Sequence, residues 1–237
     1  MQNKCYSLYR PVSSTVREAY SMLTGNIYLG SRQKNIKSIV VTSAEPKVGK
    51  TSVAISLAIT MATWGKKTVL VDADMRKLVE NKPGEVGIAN GIYQYLKGIL
   101  RVDDILHPTN VENLMFIPSG RISENPMGLL CSDNLRKLLD DLSGYFDYIV
   151  FDTPSLDSVS DAAIISSRVD ATYLVAKMGF TKLEAIKRAK EQLEKNNSNL
   201  LGVVMNKVGK RDYKRYFSAY KYYPELTSSN LHSAECS

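Results

Sequence analysis

The sequence predicts an α/β domain built on a doubly wound, mostly parallel sheet with helices on both faces. Three observations lead there. Short β-branched runs alternate along the chain with segments of helical apolar spacing. The runs are continuously apolar instead of alternating, as strands buried on both faces are. The stretch SAEPKVGKTS (Ser43–Ser52) lies between the run KSIVV (Lys37–Val41) and the helical pattern SVAISLAITMATW (Ser52–Trp64). That is the strand–loop–helix order of a phosphate-binding loop.

A chain of 237 residues with 44% apolar and 23% charged residues has enough material for one α/β domain with arms, and is too apolar to be disordered. Its three cysteines, Cys5, Cys131 and Cys236, have no metal-like spacing and are odd in number, so a reduced, cytoplasmic setting is expected. No apolar run approaches the roughly 20 residues of a membrane span, and the N-terminus lacks the apolar core of a signal peptide, so the chain is not expected to cross a membrane. The formal charge of +7 is concentrated: residues 207–223 hold six Lys or Arg and one Asp, or +5, which leaves +2 for the rest. A basic core surface dedicated to nucleic acid is therefore not expected.

The elements follow in order. Ser14–Leu29 carries Val16, Tyr20, Leu23 and Ile27 at helical spacing, with Ser13 or Ser14 as cap, and Gly30–Asn35 reads as a loop. After the phosphate-loop unit, Gly65–Lys67 is a turn and Thr68–Val71 a buried strand. Lys77–Asn90, charged and rich in Gly and Pro, reads as a mobile excursion over the site. Short helices are expected at Ile92–Gly98 and Val102–Leu106, a strand at Asn113–Pro118, and one helix over Met127–Leu142. Tyr148–Phe151 is the clearest buried strand. A helix near Asp161–Ser167, a strand at Thr172–Ala176, a charged helix at Lys182–Lys195 and a strand at Leu201–Met205 complete the pattern. The chain divides into an arm and helix (1–34), a core (35–208) and a tail (209–237).

The candidate chemistry lies at the carboxyl ends of these strands. Against the template G-x-x-x-x-G-K-[ST], the loop keeps Gly49, Lys50 and Thr51 and has Ala44 for the first glycine. Glu45, Pro46, Lys47, Val48, Gly49, Lys50, Thr51 and Ser52 would surround a nucleotide's phosphates. Backbone N–H groups would face the oxygens, Lys50 would reach the outer phosphates, and the Thr51 hydroxyl would ligate Mg²⁺. Asp72, Asp74 and Asp152 fall at strand ends facing the same crevice. Any one of them could instead cap a following helix.

Three further stretches carry a family resemblance. VLVDADMR (Val69–Arg76) is similar to the hydrophobic D-x-D-x-R motif of the bacterial tyrosine kinases, cytoplasmic regulators of capsule and exopolysaccharide synthesis within the MinD- and ParA-related P-loop superfamily. YIVFDTPS with Asp161–Ala162 resembles their Walker B segment, and RISENPMGLLCS (Arg121–Ser132) resembles their N-P-x-x-L-L-x-S stretch. The resemblance spans about Ser14 to Val208. It implies ATP and Mg²⁺ as cofactors, Lys50 on the β and γ phosphates, and Thr51 and Asp152 at the metal. Asp72 and Asp74 would share metal support and activation of a tyrosine hydroxyl, in a division the sequence leaves open.

The resemblance also implies autophosphorylation of a C-terminal cluster. Tyr213, Tyr216, Tyr220, Tyr222 and Tyr223 lie within eleven residues, whereas the other 226 residues contain nine tyrosines. By composition alone the same segment could lie on anionic lipid or stack on nucleic acid. In its Gram-positive form the family implies a separate membrane-anchored activator with a cytoplasmic C-terminal segment, a homo-oligomer, and residence at the inner face of the membrane. Departures are Lys47 for a loop glycine, Ser21 and Thr24 for two arginines of a subunit-packing E-x-x-R-x-x-R motif, Leu78 for a proline after D-x-D-x-R, and Ser155 for a second proline. Competing readings are a MinD- or ParA-like positioning ATPase, in which Glu45 would stand in place of the signature lysine, and a non-catalytic nucleotide-binding adaptor.

Overall fold

A computed structural model describes residues 5–8, 12–76, 90–121, 123–209 and 211–213. The chain forms two compact units, Met1–Asn206 and Lys207–Ser237. In the first unit seven strands, β1 (Ser38–Ser43), β2 (Thr68–Asp72), β3 (His107–Pro108), β4 (Leu114–Ile117), β5 (Tyr148–Asp152), β6 (Ala171–Lys177) and β7 (Leu200–Asn206), form one sheet. Their order is β3-β4-β2-β5-β1-β6-β7, parallel throughout except for β3 against β4. The doubly wound prediction is therefore met, with an antiparallel edge.

Successive residues of β1 feed opposite cores, which is why its sequence is apolar without alternation. Ile39 and Val41 pack with Leu57 and Met61 of α2 (Lys50–Thr63), and α1 (Ser14–Lys34) adds Ile27 to that layer. Val40 packs on the other face with Leu135, Leu138 and Leu142 of α6 (Asp133–Tyr145) and Leu130 of α5 (Pro126–Cys131). A third cluster joins Ala44 and Leu174 to α7 (Asp161–Ser166) and α8 (Leu183–Lys195). Burial of this kind is worth about 25 cal/mol per Å² of apolar surface and dominates the fold's stability.

Two element boundaries differ from expectation. The expected loop Gly30–Asn35 is instead the last turn of α1, because Gly30 is tolerated inside a helix. The stop comes at Asn35, in the left-handed region at φ 50°, whose N–H donates to the Ser31 carbonyl at 2.7 Å. The single helix expected over Met127–Leu142 is two. Asn125 Oδ1 accepts the Gly128 N–H at 3.0 Å to open α5, and Ser132 turns extended and donates its hydroxyl to the Leu129 carbonyl at 2.6 Å. The Arg168 guanidinium donates to the carbonyls of Cys131 and Ser132, and leucine spacing persists across the break because both helices face one core.

The other expected helices are α3 (Ile92–Leu96) and α4 (Val102–Ile105), and β3 is an added edge strand. Residues 5–8 extend that edge. Tyr6 N–H donates to the Pro108 carbonyl, Asn110 N–H donates to the Tyr6 carbonyl, and the Tyr6 ring meets Phe116 edge-on at 4.8 Å. Most of the expected excursion, residues 77–89, lies outside the described residues. Its two flanks are fixed. On the far side, the Asn90 carbonyl is 2.8 Å from His107 Nε2 and Ile92 N–H donates to the Pro118 carbonyl. On the near side, Arg76 makes a bidentate pair with Asp161 at 2.8 and 3.0 Å.

That pair is asymmetric: the Asp161 side chain is fully buried, whereas Arg76 is 39% exposed. The hydrogen bonds to Asp161 hold the Arg76 guanidinium above its usual range, so it stays charged.

A Cβ on Gly91 would collide with the Pro118 carbonyl oxygen and lie 2.6 Å from the Gly120 nitrogen, so Gly91→Ala should cost about 2 kcal/mol, roughly 4–8 °C in a thermal melt. Arg76→Ala strands a buried carboxylate and should cost about 3 kcal/mol in urea denaturation, whereas Asp161→Ala should cost less because Arg76 can rehydrate. Equal losses would mean that the pair's geometry is not what sets its stability.

Candidate functional site

The site lies over the carboxyl ends of three adjacent strands, β2, β5 and β1. The segment Glu45–Gly49 leaves β1 and enters α2 with alternating backbone hand: Lys47 has φ 62° and Gly49 φ 95°. Such alternation turns successive N–H groups toward one concave side, where an anion fits. Glycine adopts this conformation freely, whereas Lys47 holds it at a cost on the order of 1 kcal/mol.

Helix α2 begins at Lys50 with Gly49 as cap residue and no side-chain cap hydrogen bond. The first N–H groups of a helix have no partner within it, and they carry the positive end of its dipole. An uncapped start of this kind fits phosphate oxygens. The loop is held from behind by several bonds. Asn206 Nδ2 donates to the Val48 carbonyl at 2.9 Å, Ser43 Oγ donates to the Glu45 carbonyl at 2.6 Å, and Val48 is buried. The segment after β5 runs alongside, with Leu156 and Asp157 N–H donating to the Ser43 and Ala44 carbonyls and Thr42 Oγ1 donating to the Pro154 carbonyl.

A cavity of about 460 Å³ opens here, lined from the loop and the start of α2 by Pro46, Lys47, Gly49, Lys50 and Thr51, from the segment after β2 by Asp74 and Arg76, and from the end of β5 by Asp152. Asp152 is buried at the end of β5 and pairs in register with Asp72. The Ala73 N–H donates to the Asp152 carbonyl at 2.9 Å, which draws the exit of β2 toward β5 and brings Asp74 into the same cavity as Asp152. Asp72 differs from Asp74 in that it stands outside the lining and its Oδ1 accepts the Asp74 N–H at 3.1 Å, closing an Asx turn. Glu45 and Val48 belong to the loop and Ser52 to the first turn of α2, but none of the three lines the cavity.

Among the described residues no cluster of three or more His, Cys, Asp or Glu is preassembled for a metal. The donors available together are the Thr51 hydroxyl and the Asp74 and Asp152 carboxylates, a set of hard oxygens that fits Mg²⁺ when phosphate oxygens and water complete its shell. Sequence reasoning did not single out Thr153, Ser155, Ser158 and Val159 as lining residues, nor Asn206 and Asp161 as supports. The signal for Asn206 was its place at a strand's carboxyl end. Of the tail tyrosines only Tyr213 is described, in a helical turn at 211–213; Tyr216, Tyr220, Tyr222 and Tyr223 lie outside the described residues.

Comparison with known proteins agrees with this geometry. The AAA domain family matches residues 36–200. The chain is 36% identical over 212 residues to the tyrosine-protein kinase CpsD of Streptococcus agalactiae, covering 84% of this chain and 92% of that protein. It is 34% identical to the tyrosine-protein kinase YwqD of Bacillus subtilis, covering 94% and 92% respectively. Among solved structures, the chimerical protein CapA2B2 superposes with a TM-score of 0.75 at 30% identity, over 81% of this chain and 85% of that one. The kinase domain of Escherichia coli tyrosine kinase ETK gives a TM-score of 0.77 at 28% identity, over 82% and 76%. The MinD cell division protein of Aquifex aeolicus shares the fold at a TM-score of 0.60, with 24% identity over 76% and 73%. At 36% identity over most of both chains, and with a mostly parallel sheet that superposes on solved tyrosine-kinase domains, the chain belongs to the bacterial tyrosine-protein kinases.

Proposed function

We propose that this chain transfers the γ-phosphate of ATP to tyrosine hydroxyls, its own C-terminal cluster first, and that it regulates capsule or exopolysaccharide synthesis. The observation that carries the reading is the single cavity shared by Lys50, Thr51, Asp74 and Asp152. Bound Mg²⁺-ATP supplies the phosphoryl group and the metal's neutralising charge. Thr51 and Asp152 would hold the metal, and Lys50 with the α2 N–H groups would hold the phosphates. A tyrosine phenol, of pKa about 10, is almost wholly protonated at neutral pH, so a carboxylate that accepts its proton assists attack. Asp74, which lines the cavity, serves that step, and Asp72 orients it through the Asx turn.

The tail Tyr213, Tyr216, Tyr220, Tyr222 and Tyr223 reaches the site of a neighbouring copy. Each phosphate adds about −1.5 to −2 charges, so a few reverse the local +5 and disperse the assembly. Ser21 and Thr24 stand at the two arginine positions of the subunit-packing motif and Thr24 is buried, so assembly of copies does not run through the ion pairs of that motif. No helix among the described residues is long and apolar enough to cross a membrane. A membrane-anchored activator recruits the chain to the inner face of the membrane, a reading that rests on the resemblance to the Gram-positive tyrosine kinases.

The test is incubation of wild type, Lys50→Met and a variant with the five tail tyrosines changed to Phe, with Mg²⁺-ATP and the activator's cytoplasmic segment. Phosphotyrosine should form on wild type, fall by about a hundredfold or more in Lys50→Met, and vanish from the tail of the Phe variant. Free phosphate without phosphotyrosine would replace the kinase reading with an ATPase. Undiminished phosphotyrosine in Lys50→Met would place the chemistry elsewhere.

A further inference from the structure

Five described non-glycine residues have positive φ: Asn35, Lys47, Asn113, Asn197 and Lys207. Three are asparagine, whose short amide tolerates the left-handed region. The other two are lysines without that compensation, Lys207 just after β7 and Lys47. Lys47 stands in the nucleotide loop, two residues before Gly49, where glycine would adopt the same backbone without strain. Its side chain is exposed, so apolar burial does not account for it, and no ion pair among the described residues includes it. A strained residue held at a binding loop points to a task for its side chain.

The charges around the cavity identify that task. Arg76 is matched by the buried Asp161, so neither contributes net charge to the lining. What remains in the lining is Lys47 and Lys50 against Asp74 and Asp152, two of each sign, with Glu45 and Asp72 outside it adding negative charge. Without Lys47 the lining would be net negative toward an incoming polyphosphate. A divalent cation cures the same imbalance when it arrives with the nucleotide, and Lys47 cures it when no cation does.

We infer that Lys47 is a second phosphate-binding cation whose ammonium sustains nucleotide affinity in the absence of Mg²⁺. The inference rests on the reading of this loop as an ATP site. It makes the chain's nucleotide affinity less dependent on metal than a glycine at position 47 would.

The test is equilibrium binding of ATP and ADP to wild type, Lys47→Gly and Lys47→Arg, each in excess Mg²⁺ and in EDTA, with thermal melts of the nucleotide-free proteins. Lys47→Gly should lose about tenfold or more in affinity in EDTA and less than about threefold in Mg²⁺, while Lys47→Arg stays near wild type in both. The nucleotide-free Lys47→Gly protein should melt at the same or a higher temperature, because strain is relieved. A lower melting temperature would make Lys47 a structural residue and overturn the inference. So would wild-type affinity of Lys47→Gly in EDTA, or an equal loss in both conditions. If wild type binds no nucleotide in either condition, the ATP reading itself fails.

Discussion

The amino end of α2 has no side-chain cap, and much of the surrounding structure serves to leave it open. Backbone N–H groups that find no partner are costly when withdrawn from water, so an open helix start must be both exposed and rigid. Exposure comes from its place above the carboxyl ends of β2, β5 and β1. Rigidity comes from Asn206 behind the loop, from Ser43 beneath it, and from the segment after β5 bonded along its flank. The parallel sheet is the means by which residues from four distant parts of the chain arrive at this one helix end.

Around that positive end the protein places negative charge at two depths. Asp152 is buried at a strand terminus and Asp74 lies on the next turn outward, with Asp72 turned back to orient it. Arg76 would oppose this arrangement were it not consumed by Asp161. The ion pair thus has two effects: it fixes the exit of β2 against α7, and it keeps a guanidinium from neutralising the carboxylates beside it. Because Asp161 is buried and Arg76 is not, the pair's position is set from the α7 side.

Sequence reasoning reached what is encoded locally. β5 was legible because Tyr148–Phe151 is an unbroken apolar run, and the loop because Gly49, Lys50 and Thr51 keep the spacing that phosphate imposes. The break at Ser132 was not legible, since leucines on both sides keep one periodicity and the terminating partner, Arg168, lies 36 residues away. β3 and residues 5–8 were missed because a two-residue strand and an isolated bridge carry no period. In the site, the aspartates could be named from strand ends. Their separation into lining and orienting residues depends on the bond between Ala73 and Asp152, which no local pattern announces.

The bidentate anchor at Arg76 and the bonded corner at Asn90 and Ile92 bear on how this enzyme can diverge. They clamp both ends of the connection between them, so the site's geometry is insulated from whatever length evolution gives residues 77–89. Each doubling of such a connection costs only about 0.6 kcal/mol in closure entropy. Insertions and deletions between the two anchors are therefore inexpensive for folding. Length in this connection can vary without moving Arg76 or Asn90, so the lining of the cavity is kept while the chain between them changes.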